Sequence, residues 1–216
     1  MTEAPVKSVV LATKNQGKIV ELVRMLESSG LNVRVLGLAD FPDMPEVEET
    51  GNTFIENALL KAREISAYTG LPALADDSGL CVDALNGDPG IFSARWAGTH
   101  GDDQANLEKV LRQLQELDQR SSAGRVDRAA RFVSAVALVL PPDAANRSGV
   151  EYVEEAALEG KIIDEPIGEH GFGYDPIFQP LGYESTTAQM TPELKDSISH
   201  RGQALRKMLP KLAQFI

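Results

Sequence analysis

The sequence predicts an α/β fold in which a mixed sheet carries flanking helices. Two observations lead there. Strand-like and helix-like segments alternate through the first half, the pattern of β-α-β units. Two long strand-like segments then follow one another late in the chain, which adds non-parallel pairing to the sheet. At 216 residues, with 43% hydrophobic and 25% charged residues, the chain has the size and composition of one soluble globular domain.

Lys7–Ala12 is β-branched and apolar, and reads as a buried opening strand. Ile19, Leu22, Val23 and Leu26 repeat at helical spacing, so a helix is predicted over Gly17–Ser28. Asn32–Leu36 alternates as a second strand. Phe54, Ala58, Ala62 and Ile65 form the apolar face of a helix over Thr53–Tyr68. The run Pro72–Ala75 reads as a strand ending at Asp76, because Asp77, Ser78 and Gly79 are turn formers. Leu107, Val110, Leu111 and Leu114 predict a helix over Asp102–Leu117, and the polar stretch Asp118–Asp127 a mobile loop. Arg131–Leu140 and Val150–Ile162 are strands joined by a turn at Pro141–Gly149, and a last helix spans His200–Ala213.

Net charge is −11, which argues against a broad nucleic-acid-binding surface. No apolar run approaches the length that spans a bilayer. Met1–Pro5 lacks a basic segment ahead of an apolar core, so no signal peptide is expected. The single Cys81 forms no internal disulfide and no zinc cluster, which fits a reducing cytoplasm.

Against this acidic background, four segments carry candidate chemistry. Thr13-Lys14-Asn15-Gln16-Gly17-Lys18 lies between the first strand and helix, where backbone N–H groups and the helix dipole favour phosphate. Its spacing is not that of a Walker A loop, and an N-capping turn with exposed lysines explains it as well. Adjacent Asp76 and Asp77 repel each other unless a cation is near, and their oxygens suit Mg²⁺ bridged to substrate phosphates. Glu48 and Glu49 join them if the fold brings the two segments together.

On the second helix, Thr53, Asn57, Lys61 and Glu64 form a stripe opposite the apolar face, either lining a cleft or facing solvent. Gly171-Phe172-Gly173-Tyr174-Asp175-Pro176 either offers glycines and rings to a flat ligand or makes a tight turn before a strand, and Pro176 is expected to hold Asp175 extended. Lys195, His200 and Arg201 add donors. Arg201 sits against the helix dipole, so it faces either a ligand carbonyl or an inter-helix salt bridge. No Ser-His-Asp arrangement, His-Glu-x-x-His helix or dinucleotide fingerprint is present.

Six motifs in order resemble the inosine/xanthosine triphosphate pyrophosphatase family, over almost the whole chain from Val9 to Leu205. They are Thr13-x-Asn15-x-x-Lys18, Glu48-Glu49-Thr50-Gly51-x-Thr53-Phe54-x-Glu56-Asn57-Ala58 and Ala75-Asp76-Asp77-Ser78-Gly79-Leu80. Pro89-Gly90-x-x-Ser93-Ala94-Arg95, Gly171–Phe178 and Ser199-His200-Arg201 complete the set. The resemblance implies a single domain over residues 1–216: an elongated mixed α/β structure whose two lobes flank a nucleotide-binding cleft, usually a homodimer. It implies Mg²⁺-dependent hydrolysis of dITP/ITP and XTP/dXTP to the monophosphate and pyrophosphate.

By the same resemblance, Thr13 to Lys18 hold the triphosphate and Glu48 and Asp77 hold the metal. Asp77 is the general base, and Ser78 and Lys61 lie beside the phosphates. Phe172, Gly173, Tyr174, Asp175, Lys195, His200 and Arg201 hold base and sugar. The chain departs from the family at Lys14, at Gln189 and in a long Asp118–Asp127 loop. A Maf-like pyrophosphatase acting on pyrimidine or modified nucleotides is one alternative, which a substrate panel separates. A catalytically silent nucleotide-binding module is the other, and it has no need of a general base.

Overall fold

The computed structural model describes residues 6–122, 124–142 and 149–215. In chain order these form β1 (Lys7–Leu11), α1 (Gln16–Ser28), β2 (Val33–Leu36), α2 (Phe54–Thr69) and β3 (Ala73–Val82). There follow α3 (Asp103–Arg120), β4 (Ala129–Leu140), β5 (Val150–Ile162), β6 (Phe178–Pro180), α4 (Pro192–Ile198) and α5 (His200–Leu212). The strands make one sheet in the order β2-β1-β3-β4-β5-β6. β1 pairs parallel with β2, Val9 opposite Val35, and parallel with β3, Val10 opposite Ala73. β5 pairs antiparallel with β6, Ile162 opposite Phe178. The mixed sheet with flanking helices is the one the sequence predicts.

The chain divides into two compact units. The first comprises Met1–Asp77, Ala135–Glu155 and Arg201–Ile216, and the second Ser78–Ser134 and Ala156–His200. In the first unit Val9, Leu11, Leu22, Leu26, Ile65, Leu74 and Leu205 are buried, which sets the apolar faces of α1, α2 and α5 inward. In the second, Leu80, Leu107, Val110, Leu114, Phe132, Ile177 and Phe178 form one cluster. Gly79 is required there, since a Cβ would run into the Gly90 carbonyl oxygen and the Ser93 hydroxyl.

Helix starts follow capping chemistry. Asn15 Oδ1 accepts from the Lys18 N–H at the head of α1, Thr53 Oγ1 from Glu56 N–H on α2, and Asp102 Oδ1 from Ala105 N–H on α3. α2 ends on Gly70, whose φ of 67° is the left-handed conformation glycine adopts freely.

The structure departs from expectation in four places. β3 does not end at Asp76 but runs on to Val82, carrying both aspartates mid-strand. Turn propensity loses there because each carboxylate has a lysine partner that the local sequence does not show. Asn57 is not on a polar stripe: it is fully buried, its Oδ1 accepting the Gly51 N–H at 2.8 Å. Asp175 is not extended but opens a 3-10 turn with Pro176 at its second position. α3 enters the Asp118–Asp127 stretch as far as Arg120, and Asp118 there accepts from Val126 N–H and pairs with Arg128. Residues 143–148 of the Pro141–Gly149 turn, and Met1–Pro5, lie outside the described residues. Among the described residues no helix is long and apolar enough to cross a membrane.

Candidate active site

Strand alternation sends neighbouring side chains to opposite faces of a sheet. Asp76 and Asp77 therefore meet different helices. Asp76 is fully buried, and its Oδ2 lies 2.7 Å from Lys18 Nζ at the head of α1. Its Oδ1 lies 3.5 Å from Arg201 Nε in the first turn of α5. Arg201 also pairs with Glu21 of α1, so the open alternative of an inter-helix ion pair is realised. Two cations and two anions thus neutralise one another in a buried place, which makes the loss of any one of them costly.

Asp77 faces α2. Its Oδ1 accepts from Lys61 Nζ at 3.0 Å, and Lys61 reaches Glu49 Oε1 at 2.8 Å and the Asp76 carbonyl at 2.9 Å. Asp77 Oδ2 is buried without a hydrogen-bond partner among the described residues. Burial raises the Asp77 pKa above the usual carboxylate value, against the pull of Lys61 and Lys18. An acceptor kept from water and from donors, on a carboxylate with raised basicity, is what a general base requires.

The two lysines titrate apart. Burial dominates at Lys18 and lowers its pKa, although Asp76 raises it. Burial lowers Lys61 as well, but Asp77 and Glu49 outweigh it and the net shift is upward. Such divergent shifts around one strand are typical of functional sites.

The phosphate-loop candidates are folded as a helix entry. Thr13 Oγ1 accepts from Asn15 N–H and Asn15 caps Lys18 N–H, leaving Gln16 and Gly17 N–H groups without an intrahelical acceptor. Lys14 is exposed and pairs with Glu46 at 3.0 Å.

For a metal, the oxygens of Asp77 and the acidic Glu48-Glu49 pair have the hard character that Mg²⁺ requires. Among the described residues no three His, Cys, Asp or Glu side chains form a metal cluster. That is compatible with Mg²⁺, which is often held by one or two carboxylates plus substrate phosphates. The unpartnered Asp77 Oδ2 has two lone pairs, so one fits such an ion while the other remains an acceptor. Glu48 is exposed, and Glu49, its neighbour, is the residue joined to Asp77 through Lys61.

In the second unit, Asp175 gathers the remaining candidates. It accepts from Phe172 N–H at 2.8 Å, Thr187 Oγ1 at 2.8 Å and Lys195 Nζ at 2.5 Å. Lys195 Nζ is 5.0 Å from the Phe172 ring centroid. Asp103 Oδ2 accepts from Gly173 N–H, and Tyr174 donates its hydroxyl to the Ser93 carbonyl. Burial, with Asp103 nearby, raises the Tyr174 pKa, so the phenol stays protonated. His200 stacks on Phe132 at 4.8 Å and 15°. Ser78 is half-buried on β3 next to Asp77.

Glu21, Asp103 and Thr187 support this arrangement and are not among the residues that the sequence motifs single out. A signal existed for Glu21, which lies between Lys18 and the buried Met25 on one face of α1.

A family model described as the Ham1 family matches residues 9–211. The chain belongs to the Ham1 family. It is 53% identical over 207 residues to a "dITP/XTP pyrophosphatase" of Nocardia farcinica, covering 95% of this chain and 94% of that one. It is 49% identical to the protein of that name from Streptomyces avermitilis, covering 96% and 98%. Among solved structures, a HAM1 protein from Coxiella burnetii matches with a TM-score of 0.82 at 40% identity, over 97% of this chain and 100% of that one. A nucleoside-triphosphatase / dITP/XTP pyrophosphatase from Mycobacterium abscessus matches with a TM-score of 0.69 at 49% identity, over 94% and 99%. Family membership decides against the Maf-like alternative.

Proposed function

We propose that this chain is a nucleoside-triphosphate pyrophosphohydrolase that converts dITP/ITP and XTP/dXTP to monophosphates and pyrophosphate. The observation that carries the reading is Asp77, whose Oδ2 is buried with no hydrogen-bond partner among the described residues while Lys61 holds its Oδ1, in a chain whose relatives are named for this activity.

Water attacks the α-phosphorus and loses a proton to Asp77 Oδ2, while the α–β bridging P–O bond breaks and pyrophosphate leaves. The Gln16 and Gly17 N–H groups, Thr13, Asn15 and Lys18 bind the phosphates, with Lys14 and Ser78 at their margin. Lys61 contributes positive charge. Glu48 and Asp77 would hold Mg²⁺, which when bound supplies charge neutralisation on the phosphates and polarisation of the α-phosphorus. Phe172 to Asp175, Lys195, His200 and Arg201 hold base and sugar.

Hypoxanthine and xanthine present an oxygen at position six where adenine presents an amino donor. A donor-only guanidinium, aimed by Glu21 and Asp76, donates to the first and is mismatched with the second. Such mismatches discriminate by up to about 10⁴. The enzyme acts in the cytoplasm as a homodimer in this reading.

The test is pyrophosphate release across ITP, dITP, XTP, GTP, ATP and pyrimidine triphosphates, with Mg²⁺ or with excess chelator. Release confined to the non-standard purines and dependent on the cation supports the reading. Equal turnover of ATP, or none of any triphosphate, overturns it.

A further inference from the structure

An ammonium group carries three donors. All three of Lys61 have protein acceptors: Glu49 Oε1 at 2.8 Å, the Asp76 carbonyl at 2.9 Å and Asp77 Oδ1 at 3.0 Å. Lys18 Nζ meets one acceptor among the described residues, Asp76 Oδ2 at 2.7 Å. A phosphate arriving at Lys18 finds donors to spare. At Lys61 it has to displace a carboxylate or a strand carbonyl.

We infer that Lys61 is a positioning residue and not a phosphate ligand. It grips Asp77 by Oδ1 and so presents Oδ2 as the one basic oxygen, with Glu49 as the anchor that holds the lysine in place. This deepens the proposed function and rests on Asp77 being its base.

The physical need is clear from the carboxylate itself. Its terminal torsion is broad and two-fold, so nothing intrinsic to an aspartate fixes which oxygen faces the substrate. The bond to Lys61 breaks that equivalence. The bond from Lys61 to the Asp76 carbonyl then references the ammonium to the backbone of β3, one residue from its target. Glu49 is itself secured: the Gly51 N–H two residues later donates to Asn57, which is fully buried one turn before Lys61 on α2. Anchor and lysine thus share one helix as their support. Misplacing a reacting group by about 1 Å can cost on the order of 10²-fold in rate, and that loss falls on the chemical step.

The experiment uses the full chain and four variants: Lys61→Gln, Glu49→Ala, Lys18→Gln and Asp77→Asn. For each, kcat and KM are measured with ITP, and Kd with an ITP analogue whose α–β bridge is a methylene group. The expected result is a kcat about 10²-fold lower for Lys61→Gln and about tenfold lower for Glu49→Ala, with Kd in both within about threefold of wild type. Lys18→Gln should instead weaken Kd. A Kd weakened beyond about threefold by either Lys61→Gln or Glu49→Ala overturns the inference, as does a kcat within about twofold of wild type.

Glu49 is partly exposed on the segment ahead of α2, so Glu49→Ala decides the matter if Lys61→Gln does not fold. Asp77→Asn separates the two levels. If it turns over normally, the base reading itself has failed. If it is inactive while Lys61→Gln behaves like Lys18→Gln, only the positioning role has failed.

Discussion

Asp76 and Asp77 are identical in chemistry and adjacent in sequence, yet their surroundings are organised for different ends. Asp76 is surrounded by cations, Lys18 and Arg201, in a group that Glu21 brings to balance. Its lysine is committed to one acceptor among the described residues, and burial lowers its pKa. Asp77 has one oxygen held and one without a partner among the described residues, its pKa raised by burial, and its lysine wholly committed to the protein. The contrast teaches that donor count and burial, not residue type, decide which charge is structural support and which is left for a substrate.

Removing Arg201 should break the Asp76 side most severely. Arg201→Ala takes the guanidinium away from the buried Glu21, and losing one member of a buried ion pair costs about 3–5 kcal/mol. Denaturant unfolding should show that loss. Replacing both members by apolar residues, Arg201→Met with Glu21→Leu, should recover much of the stability while the ITP/ATP ratio of kcat/KM stays collapsed. A ratio that survives the double change removes Arg201 from base selection.

Lys18→Gln sharpens the comparison from the phosphate end. Loss of one charged hydrogen bond costs about 1.5–3 kcal/mol. KM should therefore rise by roughly 10- to 150-fold, equally for ITP and ATP, since the phosphates are common to both. A change confined to one base would assign Lys18 a different task.

Asp77 carries a pH signature with a definite sign. Its folded pKa lies above the ordinary aspartate value, so the unfolded chain gives up this proton first as pH rises. Its contribution to stability therefore falls with rising pH, from the ordinary aspartate range up through the raised folded value. In urea titrations over that window, Asp77→Asn should flatten this fall, and at neutral pH the variant should be no less stable than wild type. A variant less stable at neutral pH would contradict the direction.

The smallest effect belongs to Lys14, which is exposed and paired with an exposed Glu46. Lys14→Ala should alter unfolding free energy by no more than about 0.5 kcal/mol.

Much of this was legible in the residues. The opening strand, α1, α2 and the long β4 and β5 follow from periodicity, and β5 lies at Val150–Ile162 as read. Local propensity ends β3 early, because Asp-Asp-Ser-Gly is turn-like. Only the fold supplies Lys18 and Lys61, which turn two carboxylates into tolerable strand residues. Seven-residue α4 and three-residue β6 offer too little periodicity to read. At the site, the loop before α1 and the paired aspartates were visible as motifs. The buried place of Asn57 was not, because a polar residue on a helix reads as solvent-facing until its partner, the Gly51 N–H, is known. Nor was the ion pair of Arg201 with Glu21, which joins opposite ends of the sequence.

The most direct test of the account is single-turnover hydrolysis of ITP by Asp77→Asn, with folding checked by circular dichroism and analogue binding measured alongside. The substitution keeps the shape of the side chain and removes its basicity. The account predicts native folding, retained binding of the methylene-bridged analogue and a cleavage rate lower by roughly 10² or more. A folded Asp77→Asn protein that cleaves ITP within a few-fold of the wild-type rate would contradict it.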